Sequence, residues 1–356
     1  MSRTEFTNGE QIYKYQLIRY LGGGNFGEVW LANDMSINSR VAVKLIQSSS
    51  DEVIGKLQEA QIGNHLNHPN LVRVHYADIV NYKDVSLIVI AMDYHSNGSI
   101  LNQINLCNIL PIPVALGYIT DVLRGLEHLH SQGYFHNDIK PSNILIGSNE
   151  EGILTDYGIS CCSPDLNPIV PELSYLLHRA PETIRTGEVS VLTDIYQIGL
   201  TSFRVLNGSE IISRKWKELG YGKFKEQILK GLIQPGDYLP FIPCNLKRVI
   251  NKSLHSDPTK RYQNAVEMRR AFEKLMFRGY WDCVEEDSLV GFDNKYEYRF
   301  EVYKNEFNEY DVNTMRKNRE TGRETRIIKY CKKGMSKMQN EKLQKEFMQA
   351  VVMGSL

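Results

Sequence analysis

Apolar and polar positions follow one period in the first quarter of the chain and another in the part that follows. In roughly the first quarter, short apolar runs separated by turns are typical of β-strands, and one segment between them carries a helix-start signature. The sequence therefore predicts a strand-rich unit with one helix over about residues 12–94. The strands are expected around residues 29–32, 40–46, 71–79 and 87–92, and the helix from a Ser49-x-x-Glu52 capping pattern to about Leu66.

Beyond Asp93 the spacing becomes that of helices. Apolar residues recur every three or four positions from Leu116 to Leu129, which predicts a long helix with one face in the core. A small strand-rich part followed by a larger helical part is the expected architecture. Further helices are predicted around residues 193–207 and 245–255, and short strands at 144–146 and 152–155.

The last stretch, about residues 280–356, has a pattern of its own. Aromatic and charged residues alternate from Tyr296 to Val302, which predicts a half-buried strand. Residues 325–330 are a second candidate strand. Leu343, Phe347, Ala350 and Val351 fit one face of a closing helix.

Charge is segregated within this small α+β appendage. Residues 285–311 are rich in acids, whereas residues 316–345 are rich in bases. Two interpretations stay open. The charges are either two solvated faces of the appendage or a docking surface for a partner.

Composition places the chain among ordinary globular proteins. Its 356 residues are 42% hydrophobic and 24% charged, which suits two domains or one large bilobal unit with a sizeable core. A formal net charge of zero argues against nucleic-acid binding by bulk electrostatics. The six cysteines form no C-x-x-C pair, so zinc is not expected, and they are interpreted as reduced, buried thiols of a cytosolic protein.

Membrane and export signals are not evident in the sequence. The first residues, 1–5, contain no apolar signal region. The densest apolar run, residues 85–92, is far shorter than the roughly 20 residues that span a bilayer and predicts a buried strand instead. We therefore expect a cytoplasmic protein without membrane contact.

Three side chains suited to phosphate chemistry stand on one short segment, His136-Asn137-Asp138-Ile139-Lys140-Pro141-Ser142-Asn143. The Asp138 carboxylate can accept a hydroxyl proton, the Lys140 ammonium can neutralise charge on a phosphoryl group, and the Asn143 carbonyl can hold a metal ion. This spacing indicates phosphoryl transfer.

A glycine-rich turn precedes this segment by about a hundred residues. Gly22, Gly24, Gly27 and Val29 satisfy G-x-G-x-x-G-x-V, in which glycines let backbone N–H groups approach phosphates. A dinucleotide-binding turn shares the first six positions but should open a helix. Here residues 28–31 look like a strand, which argues against that alternative.

Further motifs follow in a fixed order. Lys44 stands on the apolar strand Val41-Ala42-Val43-Lys44, where burying a cation is costly unless an anion pairs with it. Downstream come Glu59 ten residues before Pro69 of His68-Pro69-Asn70, then Asp156-Tyr157-Gly158, Ala180-Pro181-Glu182, a helix from Asp194 to Gly199, and Asp257-Pro258-Thr259-Lys260-Arg261. Eight motifs in this order across residues 15–278 together resemble the eukaryotic-type protein kinase family, which is also found in bacteria and phages.

The resemblance implies a bilobal protein-kinase-like α+β fold. The kinase domain would span residues 15–278, with a small β-rich N-lobe over about 15–94 and a larger helical C-lobe over about 95–278. Residues 280–356, the C-terminal α+β extension, lie outside the resemblance.

The implied activity is transfer of the ATP γ-phosphoryl group to Ser or Thr hydroxyls of protein substrates, because a Lys at position 140 is the habit of Ser/Thr kinases. Asp138 would orient the hydroxyl and accept its proton, and Lys140 would steady the γ-phosphate. Asn143 and Asp156 would bind Mg²⁺. A pseudokinase-like ATP-binding scaffold is the alternative.

The nucleotide site is likewise carried over from the resemblance. Lys44 would hold the α- and β-phosphates and pair with Glu59, while Glu52 stays open as an exposed capping alternative. Met92 would guard the adenine pocket, with Asp93, Tyr94 and His95 as the hinge. The other expected nucleotide contacts are Leu21, Gly22, Gly24, Gly27, Val29 and Ala42.

The resemblance also implies two structural roles. Glu182 and Arg261 would form a structural ion pair, and the helix beginning near Asp194 would anchor the catalytic loop from below.

Two positions depart from the family pattern. Asn137 stands where many kinases have an Arg that grips a phosphate on the activation segment, so we expect activity that does not depend on phosphorylation there. Before Ala180 the usual Thr is missing, or its role falls to Ser174.

Overall fold

A computed structural model describes residues 5–24, 27–47, 66–83, 85–107, 109–156, 161–170, 176–285 and 288–356. Its N-terminal part is a six-stranded antiparallel sheet in the order β1-β2-β3-β4-β6-β5. The four strands expected from the sequence are confirmed, whereas the helix expected between Ser49 and Leu66 lies almost wholly outside the described residues. The strands are β1 Gln11–Ile12, β2 Tyr15–Gly24, β3 Gly27–Asp34, β4 Ser39–Gln47, β5 Val74–Tyr82 and β6 Val85–Met92.

The two faces of this sheet bury different cores because side chains alternate along each strand. Val43 and Leu45 of β4 pack with Trp30 in a small outer cluster. Ala42 and Ile46 belong instead to the large cluster that continues into the helical part. Lys44 stands between Ala42 and Ile46 in the alternation along β4, so it lies on the same inner face, and it is only 6% exposed. The strand thus presents a cation to the cleft between the two lobes.

The larger part of the molecule is helical, as expected. Its central helix runs from Ile112 to Ser131, and Ile119, Leu123 and Leu126 on it are fully or almost fully buried. Two short hairpin strands lie beside this helix and carry the loops of interest. The elements are helices α1 Ile100–Cys107, α2 Ile112–Ser131, α3 Pro181–Thr186, α4 Val191–Asn207, α5 Glu210–Lys230, α6 Cys244–Ser253 and α7 Ala265–Glu273, and strands β7 Tyr134–Phe135, β8 Ile144–Ile146, β9 Gly152–Leu154 and β10 Cys161–Cys162.

The chain ends in a second antiparallel sheet covered by a helix. Its strand order is β11-β12-β13-β14-β15, and β16 pairs with the other part of β14. The strand from Tyr296 and the closing helix are confirmed. The elements are β11 Gly279–Glu285, β12 Ser288–Asp293, β13 Tyr296–Lys304, β14 Tyr310–Asn318, β15 Glu324–Arg326, β16 Lys332–Met335 and α8 Lys337–Met353.

The expected strand at residues 325–330 is wrong in its second half. The ladder with β14 stops at Arg326, and Ile328–Tyr330 forms a 3₁₀ turn. The turn carries the chain along the edge of β14 to β16, and it places the Tyr330 ring 5.2 Å from the ring of Phe347. Packing of this aromatic residue thus overrides the alternating pattern.

Helix α8 packs between the C-terminal sheet and the C-lobe. Phe347 contacts the rings of Trp281 and Tyr298 on its sheet side, and Trp281 Nε1 donates a hydrogen bond of 2.9 Å to Met348 O. Gln349 Nε2 reaches the other way and donates to the carbonyls of Pro240 and Ile242. These contacts make the extension part of the same hydrophobic core as the C-lobe.

Two further expectations concern thiols and membranes. Cys244 is exposed, and Cys283 and Cys331 are half-buried, so the expectation of buried cysteines is wrong at these positions. None of the helices in the described part of the chain has the length and apolarity needed to cross a bilayer. The cytoplasmic location stays a prediction.

Candidate active site

The segment 136–140 lies at the end of α2 and β7, where helix α4 anchors its backbone. The Asp194 carboxylate of α4 is fully buried and accepts hydrogen bonds from the backbone N–H of His136 (2.9 Å) and of Asn137 (2.8 Å). His130 Nε2 lies 2.8 Å from the same carboxylate. The anchoring role expected for this helix is therefore visible in the geometry.

The backbone conformation at position 137 explains why an Asn suits this position. Its φ is +63°, in the left-handed region where Asn is several-fold enriched over most side chains. Its N–H donates to Asp194, and its C=O accepts from Gln197 Nε2 at 2.8 Å. An Asn thus suits a position at which the loop reverses direction immediately before Asp138.

The two oxygens of the Asp138 carboxylate have different surroundings. Oδ2 accepts from Lys140 Nζ at 2.7 Å and from Asn143 Nδ2 at 2.9 Å. Oδ1 is buried and has no hydrogen-bond partner among the residues that the structure describes. Three residues predicted to act together are thus brought together, and one oxygen is left available to accept a proton.

The electrostatic environment tunes this carboxylate. Burial raises the pKa of Asp138 above its ordinary value, although the Lys140 ammonium opposes the shift. A raised pKa makes the carboxylate a stronger base than one in water, which suits a group that accepts a hydroxyl proton.

Lys44 and Asp156 meet across the cleft between the lobes. Lys44 Nζ lies 2.7 Å from Asp156 Oδ1, although 112 residues separate them in sequence. Burial pushes the pKa of Asp156 upward, but the charge and hydrogen bond of Lys44 outweigh it, so the pKa is below its ordinary value. Asp156 is therefore ionised at neutral pH.

The loop that carries Asp156 is held in an unusual backbone conformation. The φ of Asp156 is +67°, and the preceding carbonyl, of Thr155, lies 3.1 Å from His136 Nε2. This turn aims the carboxylate toward Lys44, with 30% of its side chain exposed.

The donor set suits Mg²⁺, which prefers oxygen ligands and keeps several waters. Asp156 offers a partly exposed carboxylate, and Asn143 offers its amide oxygen, which accepts from Ser142 Oγ at 3.2 Å. Within the described part of the chain, no group of three or more His, Cys, Asp or Glu forms a metal cluster. A metal ion at these two residues therefore needs water or a substrate phosphate as its other ligands.

The expected adenine-pocket residues lie on neighbouring strands of the N-terminal sheet. Ala42 of β4 pairs with Met92 of β6, and Val29 of β3 pairs with Lys44. Ala42 and Met92 are 7% and 9% exposed, and Val29 packs against the same cluster. These residues form the apolar surface beside the Lys44 ammonium.

In the described part of the glycine-rich turn, Gly27 stands at a position that only glycine can occupy without strain. Gly27 has a φ of +114°, and a Cβ there would lie 2.4 Å from the carbonyl oxygen of Leu45. Gly22 faces open space instead, and Gly24 pairs with Gly27 across the turn. Leu21 is 37% exposed near the same end of β2.

The three expected hinge residues are half-buried, and side-chain contacts connect Asp93 and Tyr94 to the N-lobe. Asp93 Oδ1 lies 2.6 Å from His75 Nε2, and the Tyr94 hydroxyl accepts from Arg19 Nη2 at 3.2 Å. His95 Nε2 is buried and has no partner among the described residues. The predicted Lys44 partner Glu59, like Ser174, lies outside the described residues.

The ion pair predicted between Glu182 and Arg261 is present. Arg261 is 2% exposed, and its guanidinium also donates to the carbonyl oxygens of Leu192 and His255. Thr193 Oγ1 adds a hydrogen bond to Glu182. The ion pair therefore connects the start of α3 with the segment before α7, and hydrogen bonds connect both partners to the start of α4.

Sequence reasoning missed two residues beside the catalytic loop, the buried His178 and the half-buried Arg204. His178 is completely buried, with Nδ1 2.9 Å from Ile139 O and Nε2 2.5 Å from Arg204 Nη1. The signal in the sequence is weak: His178 follows Leu177, and Arg204 stands between Phe203 and Val205.

The sequence also matches a known protein family, in agreement with this geometry. The protein kinase domain family matches residues 15–273, which is well over half of the chain. The chain belongs to the protein kinase family. The confirmed fold is accordingly that of a kinase: a β-rich N-lobe and a helical C-lobe, followed here by additional C-terminal strands.

Bacterial kinases are among the curated relatives of this chain. It is 28% identical to the serine/threonine-protein kinase PrkC of Bacillus subtilis, over 72% of this chain and 39% of the relative. It is 27% identical to PknB of Mycobacterium leprae, over 72% and 42% of the two chains, and 28% identical to PknD of Chlamydia abortus, over 73% and 31%. The matched region is thus less than half the length of each of these relatives.

Proposed function

We propose that this chain is a protein serine/threonine kinase that transfers the γ-phosphoryl group of ATP to hydroxyls of protein substrates. The observation that carries the proposal is the Asp138 carboxylate, with Oδ2 bound by Lys140 and Asn143 and buried Oδ1 left without a partner among the described residues. A hydroxyl that approaches Oδ1 meets an oriented base. The relatives named as serine/threonine-protein kinases support the same acceptor class.

Each residue has a role that its position supports. Asp138 orients the acceptor hydroxyl and takes its proton, while Lys140 stabilises the negative charge of the transferred group. Lys44 binds the α- and β-phosphates, and the apolar surface of Ala42 and Met92 packs against the adenine. Most of the catalysis is therefore positioning and charge neutralisation.

Asn143 and Asp156 would hold magnesium. When bound, Mg²⁺ neutralises phosphate charge and fixes the phosphate chain. The oxygen donors of these two residues fit this ion, and the salt bridge to Lys44 keeps the Asp156 carboxylate ionised at neutral pH.

The proposed kinase works without phosphorylation of its activation segment. Asn137 carries no charge for a phosphate, and both of its backbone groups are already held by α4, through Asp194 and Gln197. Treatment with a phosphatase should leave phosphate transfer unchanged. Loss of most of the activity on treatment would contradict this part of the proposal.

The test of the function is transfer of radiolabelled phosphate from ATP to casein in the presence of Mg²⁺. Asp138→Asn keeps the shape of the side chain but removes the base, and Lys44→Met removes the phosphate contact, so both should abolish transfer. Lys230→Met, which changes an exposed surface lysine of α5, is the control. Wild-type protein that binds ATP but transfers no phosphate would instead indicate a scaffold.

A further inference from the structure

His178 connects two segments that carry different parts of the site. It lies two residues before Ala180, on the chain that leads into α3, and is 0% exposed. Its Nδ1 contacts the carbonyl of Ile139 in the catalytic loop at 2.9 Å. A buried hydrogen bond of this kind fixes the two segments relative to each other.

Arg204 on α4 determines which ring nitrogen of His178 carries the proton. A guanidinium has only donors, so His178 Nε2, at 2.5 Å from Arg204 Nη1, must accept. The hydrogen of the neutral ring is then on Nδ1 and is donated to Ile139 O. Burial lowers the pKa of His178 well below its ordinary value, and the charges of Arg204 and Lys140 lower it further, so the ring is neutral at pH 7.

The residue whose carbonyl His178 contacts lies between the two residues that do the proposed chemistry. Ile139 lies between Asp138 and Lys140, and its N–H donates to Gln197 Oε1 at 2.9 Å. Its carbonyl also accepts from Thr201 Oγ1 at 3.1 Å. Gln197 and Thr201 both belong to α4, whereas His178 approaches from the segment before α3.

We propose that His178 is a positioning residue that couples the segment before Ala180 to the catalytic loop through Ile139, with Arg204 selecting the tautomer that this requires. The link uses an uncharged imidazole and a backbone carbonyl, so it orders the loop without a phosphate group. Its kinetic consequence rests on the proposed kinase function, whereas its structural consequence does not.

Three substitutions separate this role from a general packing role. His178→Leu fills the space and removes both hydrogen bonds, whereas His178→Asn keeps a donor near the position of Nδ1. Thr201→Val is the matched control, because it removes the other side-chain donor to the same carbonyl but leaves the segment before Ala180 connected.

The kinetic arm measures kcat and KM for ATP with casein as acceptor. Since small displacements of catalytic groups cost up to about 100-fold, His178→Leu should lower kcat by roughly 10- to 100-fold, with KM for ATP changed by less than about threefold. His178→Asn should recover most of this loss, and Thr201→Val should cost less than about fivefold. Wild-type kcat in His178→Leu, or no recovery in a folded His178→Asn, overturns the proposal.

The structural arm needs no activity. Amide hydrogen exchange of a peptide covering residues 136–143 should be faster in His178→Leu than in the wild type, by about 10-fold or more, and close to the wild type in His178→Asn. Unchanged exchange in His178→Leu overturns the coupling. Wild-type protein that transfers no phosphate refutes the proposed function alone, since exchange still decides whether His178 orders the loop.

Arg204→Met provides a second route if His178→Leu does not fold. It keeps the imidazole but removes the donor to Nε2, so ¹⁵N NMR of labelled histidine should show loss of the pure Nδ1–H tautomer together with a lower kcat. A changed tautomer with unchanged kcat and unchanged exchange of the loop overturns the proposal.

Discussion

The guanidinium of Arg261 binds both carboxylate oxygens of Glu182, at 2.8 Å and 2.7 Å, from a fully buried position. Removing one partner of a buried ion pair leaves an uncompensated charge, which typically costs about 3–5 kcal/mol. Arg261→Met should therefore lower the free energy of unfolding by about that amount, measured by urea denaturation.

The control for this prediction is an exposed ion pair of the same lobe. Lys230 and Glu226 on α5 are 3.7 Å apart and largely exposed. Lys230→Ala should change the free energy of unfolding by no more than about 0.5 kcal/mol. Equal effects of the two substitutions would mean that burial of Arg261 contributes nothing.

Two glycines of α2, at positions 117 and 125, allow a test of the close packing between the lobes. A Cβ at Gly125 would lie 2.6 Å from the carbonyl oxygen of Asn70, whereas a Cβ at Gly117 would meet nothing within 4 Å. Gly125→Ala should destabilise the protein by about 1–3 kcal/mol through overpacking, despite the better helix propensity of Ala. Gly117→Ala should stabilise it by up to about 1 kcal/mol.

Thermal or urea unfolding of both variants checks this pair. Because both variants carry the same substitution in the same helix, the difference between their free energies of unfolding isolates the contact with Asn70. A stabilised Gly125→Ala protein would show that α2 and the loop before β5 can separate without cost.

The pH dependence of activity should follow the Asp138 carboxylate. Only the ionised form accepts a proton, and burial raises its pKa, so kcat/KM should fall on the acid side at a higher pH than for an ordinary Asp. Lys140 lowers this pKa, so Lys140→Gln should move the acid limb to still higher pH. Lys215→Gln, which removes a pair with Asp237 elsewhere in the lobe, should leave the limb in place.

The Glu10 carboxylate in the N-terminal segment should stabilise the folded protein at neutral pH but not in acid. The Lys83 ammonium and the Tyr82 hydroxyl lower the pKa of Glu10 from 4.5 to about 2. A carboxyl group with a lowered pKa stabilises the folded state above pH 4.5, and this contribution is lost as the pH falls toward 2. Glu10→Gln should therefore cost about 1 kcal/mol at pH 7 and progressively less in acid.

Urea unfolding of the wild type and of Glu10→Gln at a series of pH values measures this difference. Glu341→Gln, at an exposed site 3.9 Å from Lys337, is the control and should show no such trend. A difference that does not shrink below pH 4.5 would exclude ionisation of Glu10 as the cause.

Much of the site could be predicted because its chemistry depends on residue types in a fixed order. Asp138, Lys140 and Asn143 stand on one short loop, so their meeting follows from local sequence alone. The distant pair of Lys44 and Asp156 could be predicted to share a site, but their direct contact at 2.7 Å is a property of the folded lobes.

Other features depend on packing that has no local signature. His178 and Arg204 are 26 residues apart, and no sequence motif links the two positions, so their contact appears only in three dimensions. The exposure of Cys244 at the start of α6 is likewise set by the surrounding elements. Tyr330 leaves the alternating pattern because its ring packs on α8.

The C-terminal extension should be required for full stability of the C-lobe. A chain ending at Arg278 loses the two hydrogen bonds from Gln349 to Pro240 and Ile242, together with the apolar cover supplied by α8. We expect a lower urea midpoint for it, and a smaller decrease for Gln349→Ala, about 1 kcal/mol per lost hydrogen bond. An unchanged midpoint for the shortened chain would refute this expectation.

The shared core also determines where the polypeptide can be cut or extended. A junction for a reporter domain placed between α7 and β11 would interrupt packing that continues from one side to the other, although the family pattern ends there. The hairpin around Gly322 has open space about it and exposed neighbours, so an inserted peptide there should be tolerated. Protein engineering should therefore follow the contacts of α8 rather than the boundary of the kinase family.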